Sequence, residues 1–487
     1  MDFNMLNFYS ISPMAVLCAF ALFILCISVI TKELSTKFYT ILTVIAIILD
    51  TGILFGYNGG IKGFFGLVTL DGIAILSMYI MLIATALFIP LALSARICRE
   101  YTMPEFFAIF LFMLVGLQFM ASSTNLILIF VGLETSSLAL YTLIAMHNQK
   151  KSIEAAIKYF TMGALGSGFF VFGAALFYLV TGSIEINEIL HNVSPFKDNI
   201  FLLTGCVFMV VAIGFKLSLI PFHTWAPDVY EGASSPLAGY ISVVPKIAGF
   251  IVAMRLFEGL SHANVSWINS VLYWIAILTM TITNIMALVQ IDVKRMLAFS
   301  SISHAGFALS AIVIGSTQAN IALFLYWILF AFANLGAFSM LWLTKTKQNS
   351  WHDRYDYPYE KFNGLIKTLP IAAIVTAIFM ISLAGIPPFS VFWGKMYLMS
   401  AAINSGFIFL ALVMAINSAI ALYYYLKLVI CMFLHEPVIK DERIFLANVS
   451  NPLKIIIAIA AVACTLAPFI VKFAIPIINR FVFLSGF

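Results

Sequence analysis

Long apolar runs, each about the length of a membrane-spanning helix, follow one another along almost the whole chain. A run of about 20 apolar residues is long enough to cross the hydrocarbon core of a bilayer as an α-helix. The pattern therefore predicts about fourteen spans, numbered here in chain order. Their predicted ranges are 14–30, 39–56, 73–93, 105–121, 124–146, 154–181, 201–231, 236–256, 269–289, 297–315, 318–343, 369–402, 406–433 and 453–477.

Prolines interrupt two of these spans. Span 7 contains Lys216 just before Ile220-Pro221, and span 12 contains Pro387-Pro388 just before Lys395. Proline breaks a helix, and the membrane interior tolerates the break only where protein or water surrounds it. The breaks are five spans apart, so the two crossings run in opposite directions. This predicts two inverted five-helix repeats, spans 4–8 and 9–13, with discontinuous helices 7 and 12, as in many transporters.

The predicted fold class is an all-α polytopic membrane protein with four regions. Residues 1–100 form an N-terminal three-helix region, and residues 101–260 form the first antiporter-like repeat. Residues 261–435 form the second, inverted repeat, and residues 436–487 contain span 14.

Composition agrees with this pattern. The chain is 63% apolar and 10% charged, whereas charged residues make up about a quarter of ordinary soluble domains. The six cysteines are scattered, without a Cys-x-x-Cys motif or a histidine cluster, so no iron–sulfur or zinc site is predicted. The net charge of +5 does not indicate a nucleic-acid partner, because basic residues in a membrane protein report its topology.

The loops divide unequally in basic residues. Loops after odd-numbered spans hold sixteen Lys and Arg residues, and the other side holds five, including Arg255. The excess of positive charge marks the cytoplasmic side. We therefore expect the odd-numbered loops in the cytoplasm and both termini outside.

Charged residues inside spans are functional candidates, because each is costly in the bilayer unless paired or hydrated. Glu134 lies near the middle of span 5 and is expected to be the only carboxylate at such depth. Lys216 lies beside the break of span 7, where freed carbonyls and water can hold an ammonium group. We expect these two residues to be partners in proton exchange.

A row of further candidates follows along the chain. Lys246, after Pro245 in span 8, is either a proton relay or a lysine held by the carbonyls of its own kink. His304 in span 10 is either structural or a relay, since imidazole passes a proton at either nitrogen. Lys395 is predicted to end the second half of the path. The run Tyr423-Tyr-Tyr425 is expected to be ordinary interfacial or core aromatic residues.

Glu154 and Lys158 are spaced i, i+4 at the start of span 6, on one face of the helix. An interfacial ion pair and a role in proton uptake are both open for these two residues.

The segments that carry these charges resemble the antiporter-like subunits of respiratory complex I, the proton-pumping NADH-quinone oxidoreductase. The resemblance rests on the run from Phe215 to Pro236, with Pro-Phe-His-Thr-Trp-Ala-Pro-Asp-Val-Tyr-Glu-Gly-Ala, and on Val244-Pro-Lys246. Gly385-Ile-Pro-Pro and Phe392-Trp-Gly-Lys395 extend it over essentially the whole chain. The lysine at the second break is typical of the N type, since the M type is expected to have a glutamate there.

The resemblance implies a proton channel. In it, Glu134 and Lys216 form the coupled pair, Lys246 and His304 form the central relay, and Lys395 leads to the outer face. It also implies that this chain carries no cofactor, and that NAD, FMN, iron–sulfur clusters and quinone are bound by partner subunits. The expected partners are other antiporter-like and small subunits of the membrane arm, within the lipid bilayer of a bacterial inner membrane.

Two alternatives share these residues. An Mrp-type cation/proton antiporter, or the membrane arm of a hydrogenase, uses the same plan of lysines and glutamate. A structural membrane-arm subunit with an inert lysine row is the second alternative.

Overall fold

The computed structural model describes residues 6–31, 34–94, 99–263, 265, 267–345, 357–436, 445–446 and 450–486. Within these residues, twelve helices are long and apolar enough to cross a membrane, and they correspond to spans 1–11 and 13. They are Phe8–Ile30, Thr36–Phe55, Gly72–Leu93, Pro104–Ser122, Leu126–Ala145, Lys150–Thr181, Ile200–Leu217, Ser235–His262, Trp267–Leu288, Val293–Ile314, Thr317–Trp342 and Ile408–Leu434.

Spans 7 and 12 are discontinuous, as predicted. The first half of span 7 ends at Leu217, and its second half is the helix Trp225–Gly232. Span 12 consists of Pro370–Ala384 and Ser390–Asn404, two helices of 15 residues each. Neither half of span 12 is long enough to cross a bilayer alone, but together they fill the predicted range.

Span 14 is bent, which the sequence pattern did not predict. Its two helices, Asn451–Thr465 and Ala467–Phe483, meet at an angle of 80°. Pro468 lies in the first turn of the second helix. Its ring restricts Ala467 and removes one backbone donor, so a straight helix cannot continue through this point.

Span 8 is longer and less regular than predicted. It contains the helices Ser235–Ile241 and Val244–Ala253, then a π-helical turn Met254–Glu258, and ends with Gly259–His262. Arg255, which was counted with the basic residues of the loops although it fell at the end of the predicted range, therefore lies inside the span and is buried.

Short elements connect the spans. Two small antiparallel sheets pair Ile61–Gly63 with Val68–Leu70, and Thr344–Lys345 with Phe445–Leu446. The register of the first sheet places Lys62 opposite Thr69. The short connecting helices are Phe64–Gly66, Arg99–Thr102, Ile186–Asn192, Ser194–Phe196, Tyr359–Phe362 and Leu365–Thr368, while the 3₁₀ turns Phe8–Ile11 and Ile89–Ser94 begin span 1 and end span 3.

Connections after even-numbered spans meet at one end of the bundle. Asn125 forms a β-bridge with Glu185 there. Both ends of the described chain lie at this side. Phe64 N–H, in the loop between spans 2 and 3, donates to the Leu6 carbonyl, and Ile73 N–H, in the first turn of span 3, donates to Ser485 Oγ. We call this end the termini side.

Connections after odd-numbered spans meet at the other end, which we call the basic side. Asp292, between spans 9 and 10, bridges to Pro358, between spans 11 and 12. Lys367 forms a 3.0 Å ion pair with Glu436, beyond span 13. The chain therefore alternates between the two sides, with each discontinuous helix counted as one crossing.

Spans 8 and 10 form the centre of the bundle. The apolar stretches of both spans are completely buried inside the protein, whereas those of spans 1 and 6 lie mostly at the periphery. Lys246 and His304, carried by these two central spans, are therefore held far from lipid.

Candidate proton path

The first half of span 7 ends because Ser218 adopts a left-handed conformation, with φ at 60°. The Leu219 N–H then donates to the Gly214 carbonyl at 2.8 Å. Trp225, which begins the second half, donates its indole N–H to the Phe215 carbonyl at 3.1 Å. These bonds satisfy the backbone of the break inside the protein, as its membrane depth requires.

Lys216 lies in the last turn of this first half and is 4% exposed. Its Nζ donates to Ser137 Oγ at 2.9 Å and to Ser136 Oγ at 3.4 Å, both on span 5. The stem of Lys216 passes Gly249 of span 8, where an added Cβ would lie 3.7 Å from Lys216 Cγ. Lys216 therefore connects span 5 to the central span 8.

Glu134 lies one helical turn before these serines. It is half-buried and accepts a hydrogen bond from Ser167 of span 6. Within the residues that the structure describes, no ion pair shorter than 4.0 Å joins Glu134 to Lys216. Lys216 therefore contacts span 5 through the Ser136 and Ser137 hydroxyls, which follow Glu134 on the same helix.

Lys246 follows Pro245 in the first turn of the helix Val244–Ala253 and is 1% exposed. Its Nζ donates to the Ser301 carbonyl at 2.9 Å and to Ser301 Oγ at 3.1 Å. These acceptors belong to span 10 and not to the kink of span 8. Ser301 Oγ in turn donates to the Ser242 carbonyl at 3.3 Å.

His304 is buried and bonded at both ring nitrogens. Nδ1 bonds to the Tyr326 hydroxyl, and Nε2 lies 3.2 Å from the Tyr425 hydroxyl, with roles that depend on the tautomer. Tyr425 also bonds to Ser300, the neighbour of the serine that holds Lys246. Ser300 and Tyr425 thus link the position beside Lys246 to His304.

Lys395 lies in the second half of span 12 and is 3% exposed. Its Nζ reaches back to the end of the first half, 3.1 Å from the Ala384 carbonyl oxygen and 3.4 Å from that of Leu383. The ammonium also lies 5.1 Å from the centre of the Phe307 ring, one turn beyond His304.

The two breaks have matching backbone geometry. Gly385, with φ at 85°, ends the first half of span 12 as Ser218 ends that of span 7. The Ile386 N–H donates to the Ile381 carbonyl five residues earlier, as Leu219 does to Gly214. This local agreement supports the predicted repeat.

Glu154 and Lys158 form an i, i+4 ion pair at 2.7 Å, which was one of the two alternatives for these residues. Lys158 also bonds to Asp228 at 2.9 Å, and Asp228 bonds to Arg295 at 3.0 Å. Arg295 completes the network with Glu231 at 2.6 Å. This partly exposed network joins spans 6, 7 and 10 on the basic side. The sequence reasoning missed its last three members, because they were assigned to span ends and loops.

Two further carboxylates within the spans are buried by the protein, although neither lies near the middle of its helix. Asp50 of span 2 is fully buried and accepts a 2.5 Å hydrogen bond from Gln118 of span 4. Glu258 of span 8 is 3% exposed. Both were missed because the mean hydropathy of a long apolar stretch stays high even when the stretch contains one charged residue.

The expectation for Tyr425 was also incomplete, since its hydroxyl contacts both His304 and Ser300. No spacing signal distinguishes this tyrosine from Tyr423, which is 64% exposed. Among the described residues, no group of three or more His, Cys, Asp or Glu side chains is placed to hold a metal ion.

Chemically, the site is a row of buried amines and one imidazole, bonded to hydroxyl and carbonyl oxygens. Burying a charge is costly unless it is paired, so small changes in the surroundings of such groups alter where a proton resides. The arrangement can therefore pass protons, and none of the groups described in the row is itself a redox centre.

Comparison with known proteins places these residues in a family context. The family described as "NADH:quinone oxidoreductase/Mrp antiporter, TM" matches residues 123–421. A Campylobacter hominis protein named NADH-quinone oxidoreductase subunit N is 59% identical over 482 residues, covering 99% of both chains. A Sulfurimonas denitrificans protein of the same name is 55% identical, covering 99% of this chain and 98% of the relative.

A solved structure shares the fold and is related in sequence. A chain of respiratory complex I from Thermus thermophilus, with bound aureothin, matches with a TM-score of 0.79 at 27% identity, over 95% of this chain and 98% of that one. A chain of the Mrp complex from Dietzia sp. matches with a TM-score of 0.84 at 18% identity, over 98% of this chain and 97% of that one, which shows a shared fold.

Proposed function

Since this chain belongs to the family of membrane subunits shared by NADH:quinone oxidoreductase and Mrp antiporters, we propose that it moves protons along its row of buried lysines. It is an N-type membrane-arm subunit of NADH-quinone oxidoreductase, and it translocates protons in step with electron transfer from NADH to quinone. The residue roles that follow are proposals.

One observation carries the residue assignment. Lys216, Lys246 and Lys395 are each buried, yet in the described part of the chain none has a carboxylate within 4.0 Å. A lysine kept only for structure would be expected to have a counter-ion, because an unpaired buried charge is costly. Three such lysines on spans 7, 8 and 12 are better explained by proton exchange.

The path begins at Glu134 and Lys216. Ser137 follows Glu134 on span 5 and bonds to the lysine, so a small movement of span 5 changes the distance of the carboxylate from the ammonium. Lys246 and His304 form the centre of the path, and Lys395 ends it. Glu154 and Lys158 serve proton uptake on the basic side.

The chain itself carries no cofactor in this proposal. NAD, FMN, the iron–sulfur clusters and quinone belong to partner subunits, and change at the quinone site drives proton movement here. The other partners are antiporter-like and small membrane-arm subunits and the surrounding lipid. The membrane is a bacterial inner membrane, with the basic side in the cytoplasm and both termini outside.

An Mrp-type antiporter or a hydrogenase membrane arm is disfavoured by sequence. The likeness to the Mrp chain is one of fold, at 18% identity, whereas relatives above 50% identity over nearly the whole chain are named subunit N. Flavin and iron–sulfur subunits should therefore copurify with this chain from its native membrane.

The assignment is tested with Glu134→Ala and Lys216→Ala in the complete enzyme. We expect both variants to assemble and to lose proton pumping that is sensitive to quinone-site inhibitors. Wild-type pumping by assembled variants would favour a structural subunit with an inert lysine row. Thr161→Ala, at an exposed position of span 6, is a control for substitution within a span.

A further inference from the structure

Span 11 presents a stripe of polar groups to span 8. Its members, Asn320, Trp327 and Asn334, are spaced by seven residues and so share one face of the helix. All three are almost completely buried. Each contacts span 8 at a different level. Asn334 Nδ2 donates to Ser242 Oγ at 2.6 Å, and the centre of the Trp327 ring lies 5.4 Å from that of the Phe250 ring. Asn320 Nδ2 donates to Glu258 Oε1 at 3.0 Å.

Each member of this stripe also has one polar atom without a hydrogen-bond partner among the described residues. These atoms are Asn334 Oδ1, Trp327 Nε1 and Asn320 Oδ1. Buried polar groups in folded proteins are nearly always bonded to protein or to ordered water. The seam between spans 8 and 11 thus offers water an acceptor, a donor and a second acceptor in sequence.

The π-turn aligns Glu258 with Lys246 along this seam. In a regular α-helix, a residue twelve positions beyond Lys246 would point about 120° away from it. The π-turn Met254–Glu258 contains one residue more than an α-helical turn. The rotation from Lys246 to Glu258 is therefore three full turns to within about 20°, so the two side chains lie on the same face of span 8. Glu258 lies about 16 Å further along the axis, a distance that about five or six waters would bridge.

Glu258 is buried and is not neutralised by the nearest arginine of its own turn. Arg255 directs its guanidinium to Asp71, with two hydrogen bonds of 2.7 and 2.8 Å, and to the Ala121 carbonyl. The hydrogen bonds that Glu258 accepts come from Asn320, a neutral amide. This leaves the carboxylate available to bind a proton.

One turn beyond Glu258, His262 connects it to the surface. Its Nε2 lies 3.9 Å from Glu258 Oε1, and its side chain is 68% exposed on the termini side. A histidine at this position can take a proton from a buried carboxyl at one ring nitrogen and release a proton to water from the other.

We propose that Glu258 and His262 form a proton outlet from Lys246 to the termini side, along the seam between spans 8 and 11. The proton leaves the Lys246 ammonium, passes through water to the Glu258 carboxylate, moves to His262 and enters the bulk solvent. The outlet is separate from Lys395. It rests on the proposed function, because it requires Lys246 to carry translocated protons.

The test uses the complete enzyme in proteoliposomes, with the initial rate of NADH-driven proton translocation as the readout. Glu258→Gln keeps the shape of the side chain and its bond from Asn320 but cannot bind the proton. We expect it to lower the rate about tenfold or more, while Glu258→Asp retains most of the rate. Glu188→Gln, at an exposed position in the connection between spans 6 and 7, is the matched control.

The role of His262 is tested by the dependence of NADH:quinone turnover on buffer concentration, which a purely structural residue would not affect. In the detergent-solubilised enzyme, NADH:quinone turnover by His262→Ala should be slow in dilute buffer and should recover in concentrated imidazole. The wild type and His191→Ala, at a surface histidine on the same side, should show no such dependence.

The outcomes separate the outlet from the proposed function. Wild-type pumping by assembled Glu258→Gln, together with loss of pumping in Lys246→Met, would overturn the outlet and leave the lysine row in place. Wild-type pumping by assembled Lys246→Met would overturn both. Turnover of His262→Ala that is independent of buffer would remove His262 from the path.

Discussion

Lys395 reaches back across the break of its own span and places its Nζ 3.1 Å from the Ala384 carbonyl oxygen. The last carbonyls of a helix have no partner within the helix, and they attract a positive charge. Lys216 behaves differently, since it bonds to the Ser137 hydroxyl on another span. A hydroxyl both donates and accepts, so it can bond to either state of a lysine, whereas a carbonyl only accepts.

Gly385→Ala should lower proton transfer through Lys395 while the subunit still folds and assembles. Gly385 has φ at 85°, and an added Cβ would lie 3.1 Å from Lys395 Cδ and 3.3 Å from its Nζ. The backbone strain costs about 1–2 kcal/mol. The added methyl group also displaces the end of the Lys395 side chain slightly from its position at the carbonyls. We expect assembled enzyme with a markedly lower pumping rate. Gly406→Ala has the same strain, with φ at 83°, but no atom within 4 Å, so it should pump normally.

Ser137→Ala removes the shorter hydrogen bond of Lys216, at 2.9 Å. A hydrogen bond to a charged group contributes about 1.5–3 kcal/mol, so we expect proton transfer through Lys216 to slow about tenfold. Ser136→Ala, which removes the 3.4 Å contact, should have a smaller effect. Proton pumping and NADH:quinone turnover, measured in parallel, check this order. A larger loss in Ser136→Ala would contradict the assigned contact.

Tyr425→Phe should interrupt the link between Ser300 and His304, because its hydroxyl contacts both residues. The ring still fills the same space, so the enzyme should assemble while pumping falls about tenfold. Tyr423→Phe, two residues earlier and exposed, is the matched control. Equal rates for the two variants would exclude Tyr425 from the path.

Arg255→Leu should destabilise the subunit. Its guanidinium and Asp71 are both buried and joined by two hydrogen bonds, so removing one partner leaves an unpaired charge at a cost of about 3–5 kcal/mol. We expect less assembled enzyme and a lower unfolding temperature. Glu436→Gln removes an exposed ion pair with Lys367 and should leave the unfolding temperature unchanged. A normal unfolding temperature for Arg255→Leu would refute the structural role.

Much of the fold is predictable from hydropathy, because the bilayer imposes a helix length on every crossing. Prolines marked the breaks in spans 7 and 12, and the five-span separation suggested opposite directions. The 80° bend in span 14 was not anticipated, although Pro468 signals it, because the two short helices merge into one hydropathy peak.

The site was predictable to the extent that charge is rare in a span. Lys216, Lys246, His304 and Lys395 were found in this way, and the structure buries all of them. Ser300 and Ser301 were indicated by their position one turn before His304 on the same face of span 10. Ser137 and Tyr425 could not be identified, because serine and tyrosine are common in helices. Tyr425 in particular is defined by its contacts across spans and not by any spacing along the chain.

Glu258 shows a second limit of sequence reasoning. Its alignment with Lys246 depends on a π-turn, which inserts one residue and has no simple sequence signature. A regular helical projection would place the two side chains on different faces of span 8.

The most direct test of the central claim is the number of protons pumped per NADH oxidised by assembled enzyme carrying Lys246→Met. Methionine fills much of the space of the lysine but cannot carry a proton. If Lys246 is the centre of the path, pumping should be lost while NADH oxidation with a soluble electron acceptor stays normal. A wild-type proton yield per NADH in that variant would contradict the claim.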